Sequence, residues 1–253
     1  MSKWVWKGLR TGKKSTLYPD APETAAGVSP GLPRTPTGAL PLEFCPYPVG
    51  QIEEGEEAEN TGMRGCVHCF RCLRSSSNRV EWQDGYEWAA RKKAGSNEEG
   101  RRFGAAFHRS LHIRMVDAGA CGACISEVKQ IAKPHYSIHR LGFFITPTPR
   151  QADILLVVGP VTDNMVFALK KAYEAMPTPK LVLAAGTCAL TGGLFGPGYS
   201  CGAGVADFLP VDVEVPGCPP PPLAIIHALL VAVGRKPSAS RPQDASVPEG
   251  RTP

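Results

Sequence analysis

The strongest constraint on this chain is where its cysteines fall relative to its apolar runs. In the C-terminal half, short apolar stretches alternate with helix-like segments: "LHIRMVDA", a helix from about Gly122 to Ile131, "LGFFIT", "ADILLVVG", a helix from about Asp163 to Ala175, "KLVLAAG", "VDVEVPG" and a helix from about Pro220 to Val233. Runs such as "ILLVV" and "LVLAA" are apolar at every position, as strands must be when helices cover both faces of a parallel sheet. The pattern predicts an α/β domain over residues 111–235. Cys121, Cys124, Cys188 and Cys218 each follow one of these strands. Loops at the carboxyl ends of parallel strands gather along one edge, so four thiols from three distant places in the sequence are expected to converge there.

Each of the four sits amid small residues, in "ACGAC", "GTCALTGG" and "VPGCPPPP". Such neighbours let the backbone approach a bulky inorganic core and turn N–H groups toward its sulfurs. A four-thiolate zinc site is the alternative, but it normally uses two close CxxC pairs, whereas here one pair is joined by two separated single cysteines. Cys201, in "GPGYSCGAG", is left over and reads as a buried or half-buried free thiol. "GGLFGPG" lacks the Lys-Ser/Thr of a phosphate loop.

The N-terminal half carries Cys45 before Pro46, and Cys66, Cys69 and Cys72 in "GCVHCFRCLR". Bacterial two-cluster ferredoxins repeat C-x2-C-x2-C-x3-C-P, and the fourth cysteine of each run binds the other run's cluster. If Cys45-Pro46 ends a first run, its partners should stand at Thr35, Gly38 and Pro41; if Cys66, Cys69 and Cys72 begin a second, its fourth should stand at Ser76. The missing four are the complete ligand set of one cluster, and the surviving four, Cys45, Cys66, Cys69 and Cys72, are the set of the other. Residues 41–77 therefore read as a degenerate ferredoxin-like module keeping one cubane, with zinc as the alternative and His68 as a spacer.

Around this module, residues 1–40 read as an irregular arm, with the Pro- and Gly-rich stretch from 17 to 62 as extended loop. Residues 78–110 read as a linker with a helix around Trp82 to Lys93, and 236–253 as a disordered tail. The arm opens with "MSKWVWKGLRTGKK", whose Trp and Lys residues suit a membrane surface or an acidic partner as well as a solvated terminus. The formal charge of +5 is otherwise spread along 253 residues, which argues against nucleic acid. The longest apolar run, "LAIIHALLVAVG", falls short of the roughly 20 residues of a spanning helix. Without a signal-peptide core the chain is expected in the cytoplasm, where nine cysteines point to metal rather than to disulfides.

"PTPRQADILLVVGPVTDNMVFALKKAYEAMPTPKLVLAAGTCALTGGLFGPGYS" followed by "LPVDVEVPGCPPPP" resembles the B (20 kDa) subunit family of NADH:quinone oxidoreductase and its relatives, the small subunits of membrane-bound group 4 [NiFe] hydrogenases. The resemblance implies a flavodoxin-like fold with one [4Fe-4S] cluster on Cys121, Cys124, Cys188 and Cys218. Respiratory members carry adjacent cysteines at the first position, whereas Cys121-Gly-Ala-Cys124 follows the hydrogenase-type pattern, which ends in an acidic residue, here Glu127. "GLRTGKKSTLYPDAPE" and the cysteines after it are similar to the ferredoxin-type subunit accompanying these complexes, so the chain reads as a fusion of two neighbouring subunits.

The function implied is that of an electron-transfer subunit relaying electrons through two [4Fe-4S] clusters in a membrane-associated hydrogenase-like complex. Nickel-binding cysteines belong, in this reading, to a partner large subunit; membrane-arm subunits hold the complex on the inner face of the cell membrane, and a ferredoxin or another subunit exchanges electrons with the N-terminal cluster. The alternatives are a complex I-like subunit delivering electrons to quinone and a non-redox scaffold with zinc. Arg150 is placed near the cluster by the resemblance, or on the surface at the end of a loop. Glu127 is read as an anion favouring a helix N-terminus or as a proton relay, and His135 and His139 as surface residues.

Overall fold

A computed structural model describes residues 5–6, 15–21, 31–34, 45, 64–75, 81–83, 85–92, 97–107, 110–194 and 196–239. In chain order the elements are β1 (Leu32–Arg34), α1 (Arg71–Ser75), β2 (Glu81–Gln83), β3 (Ala90–Arg91), α2 (Asn97–Ala106), β4 (Leu111–Asp117), α3 (Ala123–Ile131), β5 (Phe143–Ile145), β6 (Ile154–Val158), α4 (Asp163–Ala175), β7 (Leu181–Ala185), α5 (Thr187–Thr191), β8 (Val213–Val215) and α6 (Pro222–Ala232).

Six strands form one sheet in the order β3-β8-β7-β6-β4-β5, parallel except at β3. Counted from β4, the five parallel strands run 2-1-3-4-5, the order of flavodoxin-like sheets. The alternation of side chains divides each central strand between two cores. Ile154, Leu156 and Val158 of β6 face one core with α3 and α6, while Leu155 and Val157 face the other with α4 and α5. All five β6 residues are buried, which explains a run with no polar position. The α/β expectation for the C-terminal half holds, and α4 spans the anticipated Asp163–Ala175.

The N-terminal half departs from expectation. The stretch read as a helix around Trp82 to Lys93 contains β2, paired antiparallel with β1, and β3, which adds an antiparallel edge to β8. Gly85, at φ 111°, interrupts any helix there, and pairing with β8 overrides the helix preference of "AARKK". The helix of this region is α2, lying instead against α6. The stretch read as extended loop likewise holds packed chain: Tyr18 and Leu32 are buried. The start of the expected tail is also packed, since Ala239 N–H donates to Ala89 O; residues 240–253 lie outside the described chain.

These segments cover α6, whose eleven residues are all buried. A helix apolar all round needs cover on every side. The sheet supplies one side; Tyr86, Ala89 and Phe103 join the same core from the N-terminal half. The buried Arg91 donates to the carbonyls of Val231 and Ala232, capping the end of α6. His227 Nδ1 accepts from Ala89 N–H at 3.2 Å and Nε2 lies 3.2 Å from Pro237 O.

Burial lowers His227 to about 4, so the ring is neutral in the fold. The unfolded ring titrates near about 6.5, so between these values the unfolded chain binds the extra proton. The stabilisation is fully present above about pH 6.5 and is lost as pH falls toward about 4. Wild type is expected to lose about 2 kcal/mol more stability than His227→Gln between about pH 7 and about pH 5. Melting curves of both proteins across that range check this; parallel curves would refute it.

Candidate functional site

At the carboxyl end of β4, Asp117 Oδ1 accepts from Gly119 N–H at 3.0 Å and Ala120 N–H at 2.7 Å, closing a tight turn. The chain then reaches exposed Cys121, and Gly122 in left-handed conformation opens α3, whose first turn carries the buried Cys124. Cys188 lies in α5, a five-residue helix beginning two residues after β7. Cys218 follows β8 and is exposed. These four thiols meet: burial, then Cys188, Cys218 and Cys121, push Cys124 up to about 12. Cys188 is raised by burial and by Cys218 and Cys121, and Cys218 by burial and Cys121.

Two glycines lie flush against these sulfurs. A Cβ on Gly186 would stand 2.7 Å from Cys124 Sγ, and one on Gly193 would stand 2.7 Å from Cys188 Sγ. Gly193 belongs to "GGLFGPG", so that loop serves close approach to a thiol.

The N-terminal set also comes together. Burial pushes Cys66 up to about 12; the His68 backbone N–H opposes the shift, while Cys72, Cys45 and Cys69 add to it. Between the cysteines, His68 and Phe70 adopt φ of 52° and 57°. Left-handed residues alternating along a loop turn successive N–H groups inward and form an anion-binding nest, a device found at iron-sulfur sites. The His68 ring lies 3.1 Å from Gly31 O through Nε2 and 5.9 Å from the Trp88 ring, which fits its reading as a spacer.

None of the nine cysteines forms a disulfide. Among the described residues, no three His, Cys, Asp or Glu side chains stand close enough to hold a single metal ion. Within each set, the thiols are near enough to raise one another. Buried thiols ligate only once deprotonated, and a cationic centre supplies the charge that displaces their protons.

Residues 121–232 match the family described as NADH ubiquinone oxidoreductase, 20 Kd subunit. An uncharacterized protein of Methanocaldococcus jannaschii is 45% identical over 122 residues, covering 48% of this chain and 82% of the relative. A probable membrane-bound hydrogenase subunit of Pyrococcus furiosus is 41% identical over 125 residues, 49% of this chain and 75% of its own. The chain belongs to the 20 Kd subunit family.

A solved chain of the membrane-bound sulfane sulfur reductase, an archaeal respiratory membrane complex, aligns at 31% identity and TM-score 0.45 over 52% of this chain and 76% of its own. The 20 Kd subunit region includes Cys121, Cys124, Cys188 and Cys218; Cys45, Cys66, Cys69 and Cys72 precede it.

Residues near the 20 Kd subunit site depart in part from their sequence readings. Glu127 lies beyond the first turn of α3, outside the strong field of the helix end, and burial raises its pKa. Arg150 is exposed in the turn Pro149–Gln151, the surface position of its two readings. His135 and His139 are exposed. Cys201, half-buried, the second of its two expected settings, pairs with Gly198 in a hairpin close enough to Cys188 to raise it, a proximity that its sequence position did not reveal. Thr187 was missed too: its hydroxyl donates to Cys66 O at 3.0 Å.

Proposed function

We propose that this chain is an iron-sulfur electron-transfer subunit of a membrane-associated, hydrogenase-like oxidoreductase. One [4Fe-4S] group would be held by Cys121, Cys124, Cys188 and Cys218, and a second by Cys45, Cys66, Cys69 and Cys72. The observation that carries the reading is the convergence of four thiols from three distant segments at the carboxyl edge of the sheet, with glycines flush against two of the sulfurs. Such a group, when bound, accepts and releases one electron. The chain's own residues do the rest. Thiolates ligate, Cys124 and Cys66 lie in low-dielectric surroundings, and the His68 N–H directs its dipole at Cys66. Exposed Cys121 and Cys218 leave one side of the C-terminal site open to a partner.

Hydrogen or proton chemistry would belong to a partner large subunit. Among the described residues no helix is long and apolar enough to cross a membrane, and attachment in this reading runs through membrane-arm subunits. A complex I-like role in quinone reduction is the second reading, and the two residues between Cys121 and Cys124 weigh against it. A zinc scaffold is disfavoured because one close CxxC pair is joined by two separated single cysteines rather than by a second close pair. The test is anaerobic purification with iron, zinc and sulfide analysis and EPR of the dithionite-reduced protein. About eight iron and about eight sulfide per chain, with two [4Fe-4S] signals, is the expected result; zinc without sulfide would overturn the reading.

A further inference from the structure

Thr187 touches three of the cysteine-bearing segments at once. Its side chain is buried, and its hydroxyl donates to the Cys66 carbonyl at 3.0 Å. Its backbone N–H donates to Gly217 O at 2.9 Å, one residue before Cys218, and its own carbonyl is bonded to Cys188. A second contact grips the other end of the same short helix. Arg64, two residues before Cys66, donates to Leu190 O at 3.3 Å and to the Glu214 carboxylate of β8 at 2.9 Å. The Cys66 loop is thus clamped onto α5 at Thr187 and at Leu190. Between the sulfurs of Cys66 and Cys188 the route is covalent throughout, apart from the single hydrogen bond at Thr187.

We propose that Thr187 is a positioning residue that sets the electronic contact between the two cysteine sites, with the Arg64–Glu214 pair holding the two segments in register. The proposal rests on the reading that both sites hold iron-sulfur groups. Electronic coupling falls off more slowly through bonds and hydrogen bonds than across a gap, so the bridging hydroxyl matters beyond packing. Valine has nearly the same shape as threonine and no donor. Replacing Thr187 with it removes the bridge and leaves the half-buried Cys66 carbonyl without this partner, while a purely structural role would leave the through-bond part of the magnetic interaction intact wherever both groups remain bound.

The experiment uses the full chain purified anaerobically as wild type, Thr187→Val and Thr187→Ser, with iron and sulfide analysis beside EPR of the dithionite-reduced proteins. Wild type is expected to show two signals broadened by their mutual interaction. Thr187→Val is expected to retain about eight iron and to narrow that broadening by its through-bond exchange part, the through-space dipolar part remaining, and Thr187→Ser to restore it. Full iron with unchanged broadening in Thr187→Val would overturn the proposal. Should Thr187→Val fail to take up its iron, Glu214→Gln decides, because it loosens the Arg64 clamp while leaving every cysteine and the Thr187–Cys66 hydrogen bond in place: weaker broadening at full iron upholds the proposal, and unchanged broadening overturns it. About four iron in wild type would remove the two-site reading itself, and the proposal with it, before any variant is compared.

Discussion

Cys188→Ala is expected to lose about half of the protein's iron and sulfide, and Cys69→Ala the other half. Cys188 stands where the chain enters α5 and shares its surroundings with Cys124, Cys218 and Cys121. Removing one thiol from such a set leaves three that are partly desolvated and mutually repelling once ionised, with too few donors to complete a tetrahedral iron. The same argument applies to Cys69 beside Cys66, Cys72 and Cys45. Metal and sulfide analysis of the two variants, with EPR to identify the surviving signal, checks the assignment. Should Cys69→Ala keep all the iron of wild type, the N-terminal set would be reduced to a docking element.

Gly186→Ala is expected to empty the C-terminal site with all four of its cysteines in place. Gly186 has φ 97° and ψ 150°, a region open essentially to glycine alone, and a side chain forced there costs about 1 to 3 kcal/mol. The added Cβ would stand 2.7 Å from Cys124 Sγ, inside any real carbon-sulfur contact. Neither group yields easily: Gly186 N–H is bonded to Val215 O at 2.8 Å, and Cys124 is fixed in the first turn of α3. Iron content falling to that of Cys188→Ala, with secondary structure preserved by circular dichroism, is the expected outcome. Full iron would mean that the sulfur moves aside despite its close packing against Gly186.

The parts of this structure legible in the sequence are those in which local pattern and tertiary role agree. "ILLVV" must be a covered strand, and its neighbours follow the same logic, which fixes the carboxyl edge and the convergence of Cys121, Cys124, Cys188 and Cys218. Cys45 was legible by a different route, the ferredoxin spacing rule, since nothing local ties it to a loop more than twenty residues away. What escaped depended on partners distant in sequence. Ala90 and Arg91 are strand only because β8 offers them an edge, and Ala89 is held by a histidine 138 residues further on. Likewise, Thr187 reads as an ordinary small residue beside a cysteine until the Cys66 loop is folded against it. One signal was available: eleven consecutive residues of α6 too apolar for a helix with an exposed face announce a cover that the C-terminal half alone does not provide.

That cover bears on what the two halves of the chain can do independently. Where β3, α2 and the loop around Tyr86 lie over α6, side chains of the N-terminal half pack as core of the sheet domain. Among the described residues, no polar seam divides the two along α6. The spacing of the two thiol sets is therefore a property of one folding unit, and it does not vary with the concentration of the protein.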